Sequence, residues 1–153
     1  SEIISEKSQH EDNEKFRQVL HLAMKHHLLG DVLTDADRKL VTEALLSFRN
    51  VQVHTDVMRC KHYAYLLIIH TLLGNDAERA ELIHLIRSFL PIVKAEQSRA
   101  LLYVTLYGCT NDHLDYVEAH ALVSSWMSES DPKKSKRQLI GQLRDYDCWL
   151  GHA

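Results

Sequence analysis

Apolar residues in this chain recur at intervals of three and four, and no stretch alternates strictly enough to argue for a strand. Leu40, Ala44, Leu45 and Phe48 fall at i, i+4, i+5 and i+8, and Leu82, Leu85, Ile86, Phe89 and Leu90 follow the same logic. Such spacing gathers apolar side chains on one side of a helix. Punctuation is sparse, with 5 glycines and 2 prolines in 153 residues. The fold class is therefore all-α. About seven helices are expected, over Asp12–Leu29, Asp35–Arg49, Asp56–Leu73, Asp76–Leu90, Lys94–Tyr107, Asp112–Met127 and Pro132–Trp149. Residues 1–11 read as a flexible segment and 12–150 as a single helical-repeat domain.

Local chemistry marks several ends. Thr34 with Asp37 approximates a capping box, and Thr55, Asn75 and Asn111 each offer an oxygen to a free backbone N–H. Asp131 before Pro132 reads as a capping carboxylate with proline at the first helical position. Gly30, Gly74 and Gly108 each follow an apolar helical stretch, where a left-handed residue is wanted. Short connections make consecutive helices antiparallel neighbours.

The helices come in similar pairs. Leu28, Leu29 and Gly30 match Leu72, Leu73 and Gly74; Ala36, Asp37 and Arg38 match Ala77, Glu78 and Arg79; Ser47 and Phe48 match Ser88 and Phe89. A fainter third pair aligns Glu118, Leu122, Val123, Ser125 and Trp126 with Glu81, Leu85, Ile86, Ser88 and Phe89. One pair cannot bury its own apolar face, whereas three stacked pairs can, which is the logic of a helical array. Phe48, Phe89 and Trp126, as equivalents, are expected to be buried between pairs. Leu139, Leu143, Tyr146 and Leu150 put an apolar stripe on the last helix, which then caps the open end of the array.

Gly74, Ala80 and Pro91 in the second pair fall near the small, small and proline positions of a tetratricopeptide repeat, which that pair resembles. The resemblance extends over about Asp12–Met127. The other pairs lack the proline, and the usual early tryptophan is absent. It implies a short right-handed array. In size, acidity and helix-pair layout the chain is also similar to the small bacterial cytosolic chaperones and co-chaperones of type III secretion. That likeness implies a role in holding an export substrate soluble.

Composition narrows the function classes. Hydrophobic residues are 45% and charged residues 25%, which suits a packed soluble domain and excludes disorder throughout. The formal net charge of -3 supplies no general field for nucleic acid or anionic lipid. The apolar run from Ala64 to Leu73, broken by His70 and Thr71, spans 10 residues, about half a membrane crossing, so no membrane insertion is expected. Three widely spaced cysteines and an acidic N-terminal stretch point to a cytoplasmic protein.

No phosphate-binding glycine loop, serine elbow or H-E-x-x-H motif occurs. Eleven histidines include no pair four apart, and Cys60 with His62 supplies two ligands, not a zinc site. Cys109 near His113 is the best placed nucleophile pair, although a turn cysteine without chemistry is the commoner case. No catalytic residue, metal site or cofactor is assigned.

The expected function is non-catalytic protein binding, as a chaperone or adaptor that grips an amphipathic helix or export substrate. A second copy of the chain is a further candidate partner. The third and fifth helices are apolar on nearly every side. Tyr63, Leu66, Tyr103 and Tyr107 on them are the candidate partner-binding residues, lining a groove. The alternative is a transcriptional regulator or nucleic-acid-binding protein using the basic run Lys133, Lys134, Lys136 and Arg137. Nucleic acid is the less expected partner, because Glu129 and Asp131 dilute that run and no helix clusters side chains suited to base edges.

Overall fold

The computed structural model describes residues 14, 15, 17–23, 25, 26, 32–49 and 51–151. The expected flexible segment 1–11, Gly30 and the Leu28–Leu29 repeat match lie outside the described residues. Helical residues 14–15, 17–23 and 25–26 are named α1. They are followed by α2 (Asp35–Arg49), α3 (Asp56–Leu73), α4 (Asp76–Phe89), a 3-10 turn (Leu90–Ile92), α5 (Glu96–Thr110), α6 (His113–Met127) and α7 (Lys134–Trp149). The fold is all-α, with seven helices and no strand among the described residues.

Side-chain chemistry sets most of the ends. The Asp37 N–H donates to Thr34 Oγ1 at 3.1 Å and the Thr34 N–H to Asp37 Oδ2 at 3.4 Å, a reciprocal box at the start of α2. Thr55 Oγ1 accepts from the Met58 N–H at 3.1 Å and starts α3. Gly74, at φ 71°, closes that helix, with the Asn75 N–H donating to the His70 carbonyl at 3.0 Å.

Four expected end signals act differently. Helix α5 runs through Gly108 and stops at Asn111, whose φ is 58° and whose N–H donates to the Tyr107 carbonyl at 2.8 Å. Asn111 thus ends α5 rather than starting α6, which Asp112 caps through the Leu114 N–H at 2.9 Å. Asn75 sits before α4 without a capping bond and places its amide 3.0 Å from His70 Nδ1. Asp131 does not cap α7. It pairs with Arg137 at 2.8 Å, and α7 begins after Lys133.

The second and third pairs are α3–α4 and α5–α6, and their first helices, α3 and α5, pack side by side. Helix α2 packs on α3, and α7 covers both α5 and α6, the capping position expected for it. Two core clusters result. The first includes Phe48, Leu67, Ile69, Ile86, Leu102 and Leu106; the second includes Val104, Tyr107, Val123, Trp126, Leu143 and Tyr146. Helix α5 belongs to both, which accounts for its lack of a polar face. Phe48, Phe89 and Trp126 are all buried, as their equivalence in the repeat predicts. Phe48 lies against Tyr65 and Phe89 against Tyr63, each edge to face.

Gly108 serves packing rather than chain reversal. A Cβ there would come within 2.5–2.8 Å of the buried Tyr146 ring. Gly108→Ala is expected to destabilise by ~1–3 kcal/mol in urea unfolding, since the ring has nowhere to move. Gly141→Ala in α7 meets open space and should instead stabilise, by ~0.5–1 kcal/mol.

His70 lies buried at the end of α3, with Asn75 against its ring, Glu78 favouring its charged form and Arg49 opposing it. Burial dominates and holds its pKa below the ordinary 6.5. The unfolded chain therefore takes the proton more readily. The contribution of His70 is complete above pH 6.5 and is lost as pH falls through its folded value. In urea unfolding from pH 7 down to pH 5, His70→Gln should flatten the loss of stability relative to the parent.

Candidate partner-binding cleft

Helix α4 makes little direct packing with α5, and arginines span the seam instead. Arg87 donates from both terminal nitrogens to Asp115 of α6, at 2.8 Å each. Asp112 lies 3.5 Å from the same guanidinium, and the Thr110 hydroxyl donates to Asp115 at 3.3 Å. The hydrogen bond to Asp115, more than any other influence, raises the Arg87 pKa. About two helical turns earlier in α4, Arg79 donates to the Cys109 carbonyl at the end of α5, at 2.7 Å. These ties hold the second pair against the third.

Beside them lies a cleft of about 400 Å³ lined by Arg87, Leu90, Pro91, Val93, Arg99 and Tyr103. The 3-10 turn builds one wall, because Pro91 cannot continue α4 and redirects the chain toward α5. Leu90 and Val93 are buried and anchor that turn, while Pro91 and Ile92 project outward, Ile92 with 62% of its surface exposed. Arg99 and Tyr103, one helical turn apart on α5, form the other wall. Among the described residues, neither the Arg99 guanidinium nor the Tyr103 hydroxyl has a hydrogen-bonded partner. Burial first, and Glu118 second, push the Tyr103 pKa up, while Arg99 and Arg87 pull the other way. The phenol therefore keeps its proton at neutral pH and can donate.

Of the four candidate partner-binding residues, Tyr103 lines the cleft. Tyr63 stands against Phe89, whose ring also carries the Arg59 guanidinium at 5.8 Å from its centroid. Leu66 is half-buried against the first core cluster. Tyr107 is a correction: it is fully buried in the second cluster, with its hydroxyl donating to Asp147 at 3.3 Å, and presents nothing to a partner. Tyr107 follows Tyr103 by one turn on nearly the same face, but there α6 and α7 cover the helix, with the Tyr116 and Tyr146 rings 5.1 Å and 6.4 Å from that of Tyr107. Arg87, Arg99 and the Leu90–Val93 wall were not singled out from sequence. The available signal was Arg99 as a cation on an otherwise apolar helix that opens just past a proline.

The other candidate chemistries are placed as follows. Burial pushes the Cys109 thiol up to about 11, whereas the His113 imidazole stacks on Tyr116 at 5.8 Å. Cys60 is buried and its pKa is likewise raised by burial. Among the described residues, no three His, Cys, Asp or Glu side chains gather where they could hold a metal ion. In the basic run, Lys136 pairs with Glu129 at 3.2 Å and lies over the Trp126 ring, and Arg137 pairs with Asp131, so two of its cations are already matched.

No family model and no curated protein matches the chain. Among solved structures, the crystal structure of UpxZ from Bacteroides uniformis, a transcription anti-terminator antagonist, is similar in fold, with a TM-score of 0.58 at 20% identity. The match covers 87% of this chain and 92% of that one. The likeness is one of fold, and it does not extend the tetratricopeptide chaperone resemblance. No helix among the described residues is long and apolar enough to cross a membrane.

The arginine tie has a measurable weight. The Asp115 side chain is 2% exposed and that of Arg87 40%. Arg87→Ala strands a buried carboxylate and should cost ~2–4 kcal/mol in urea unfolding, toward the low side of buried-pair losses because Arg87 is itself partly solvated. Arg87→Ala combined with Asp115→Leu should recover much of that loss, since the uncompensated charge is then gone.

Proposed function

We propose that this protein is a non-catalytic regulator that binds a transcription anti-termination factor and blocks its action. The observation that carries this reading is the whole-chain fold likeness to an anti-terminator antagonist, which spans nearly the full length of both proteins. The cleft supports it, since two exposed or half-exposed polar groups without partners flank an apolar wall, the composition of a protein-docking site. The basic run, two of whose four cations are already paired with carboxylates, supports a protein partner over direct nucleic-acid binding. The same likeness favours regulation over the export-substrate role implied by the type III secretion resemblance. The proposed site of action is the cytoplasm, where transcription takes place.

The test is a reconstituted transcription reaction in which an anti-termination factor from the same organism carries polymerase through a terminator. Added protein should lower read-through in proportion to its concentration, co-elute with the factor in gel filtration and leave the factor's mass unchanged. Undiminished read-through, with no co-elution, would refute the reading. A covalent change in the factor's mass would make the protein an enzyme instead.

A further inference from the structure

The cleft between α4 and α5 has a charge opposite to that of the protein as a whole. The formal net charge is -3, yet the charged residues lining this cleft are Arg87 and Arg99, Lys94 follows the lining Val93 in the chain, and Arg59 lies over the ring of Phe89, next to Leu90; Arg59, Lys94 and Arg99 are in no salt bridge among the described residues. Arg59 and Lys94 are exposed and Arg99 is half-exposed. Arg87 adds little net charge, because Asp115 and Asp112 already match it. Glu118 and Asp115 are the acidic groups felt by Tyr103, and of these Asp115 is already held by Arg87. Arg99 therefore leaves an unmatched cation in the lining of an apolar wall of Leu90, Val93 and the Tyr103 ring, close in the chain to Lys94 and the exposed Ile92.

We propose that this cleft binds a short acidic peptide segment of the partner protein, with one large apolar side chain seated between Leu90, Val93 and Tyr103 and flanking carboxylates on Arg99 and Lys94. The proposal rests on the protein-binding reading above and names the partner chemistry. The argument is charge complementarity. A guanidinium with no internal partner is matched in a bidentate way by a carboxylate, and the Tyr103 hydroxyl can donate to the same group. The volume, about 400 Å³, admits a few side chains rather than a helix lying lengthwise, so the anchor is a single residue in an extended or turn segment. Tyrosine and arginine at the centre of such a contact are the residue types that carry most of a docking energy.

The probe is a fluorescein-labelled decapeptide of glutamates around one central leucine, titrated with the full chain and read by fluorescence anisotropy. Its counterpart carries lysines in place of the glutamates. The acidic peptide should bind at least about tenfold more tightly than the basic one and weaken as salt rises. Arg99→Glu and Tyr103→Ala should each weaken it about tenfold, and serine in place of the peptide's leucine should do the same. Arg99→Lys should retain part of the affinity. Glu118→Gln should tighten binding, an effect that damage to the fold would not produce. Thermal melts of Arg99→Glu should match the parent, because Arg99 holds nothing else in place.

Equal affinity for the two peptides, or an Arg99→Glu variant that binds as the parent does, would overturn the proposal. So would displacement of the peptide by a single-stranded RNA oligonucleotide at lower concentration than by unlabelled peptide, since the cleft would then be a nucleic-acid site. The two readings fail separately. Antagonism in the transcription reaction that survives Arg99→Glu removes the cleft and keeps the regulator. Acidic-peptide binding without any effect on read-through keeps the cleft and removes the regulator.

Discussion

Helix α5 has no polar face to give to water, and the rest of the architecture answers that constraint. Leu102 and Leu106 enter one core, Val104 and Tyr107 the other, and Gly108 brings the α5 backbone against the Tyr146 ring. A helix of this kind must be covered from several directions. Here α3, α6 and α7 supply the cover. Helix α7 is then more than a terminal addition. Without it Tyr107, Trp126 and Val104 would lose much of their apolar surroundings, a large fraction of the stability of a domain this size.

Helix α4 packs its apolar side on α3 through Leu82, Ile86 and Phe89, but it does not join that cover by close packing, and its ties to α5 and α6 are polar. Arg87 reaches a carboxylate that is almost wholly buried, and Arg79 reaches a carbonyl at the end of α5. Such bonds contribute less than burial of the same area would, because both partners lose water. They are directional, however, and fix α4 relative to α6 at a set distance while leaving space between α4 and α5. The cleft follows from this attachment, as a seam that is tied without being filled.

Fold class and helix number were legible in the sequence because three-and-four spacing over several long segments has one physical interpretation. Thr34, Asp37, Thr55 and Gly74 were legible for the same reason, each acting through its own side chain or its own φ. Gly108, Asn111 and Asp131 were not. At those positions a distant partner, or a competing local bond, decides the outcome. Gly108 is small because of Tyr146, and Asp131 is taken by Arg137. The site divides in the same way. Tyr103 was visible as an aromatic on an apolar helix. Its neighbours Arg87 and Leu90 come from α4 and the 3-10 turn that follows it, and nothing in the spacing brings them to Tyr103.

The position of the cleft bears on how binding there would reach the rest of the molecule. Arg87 lines the cleft and also holds Asp115, so one side chain faces both a bound segment and a buried carboxylate. A partner carboxylate drawn to Arg87 would compete with Asp115. The bidentate geometry and burial of the internal pair favour Asp115 in that competition. Arg99, with no such commitment, is the cation free to turn toward a partner without disturbing the core. The two arginines therefore divide their work. Arg87 sets the spacing of the seam, and Arg99 with Tyr103 offers the unpaired donors inside it, so recognition can occur without loosening the tie that makes the cleft.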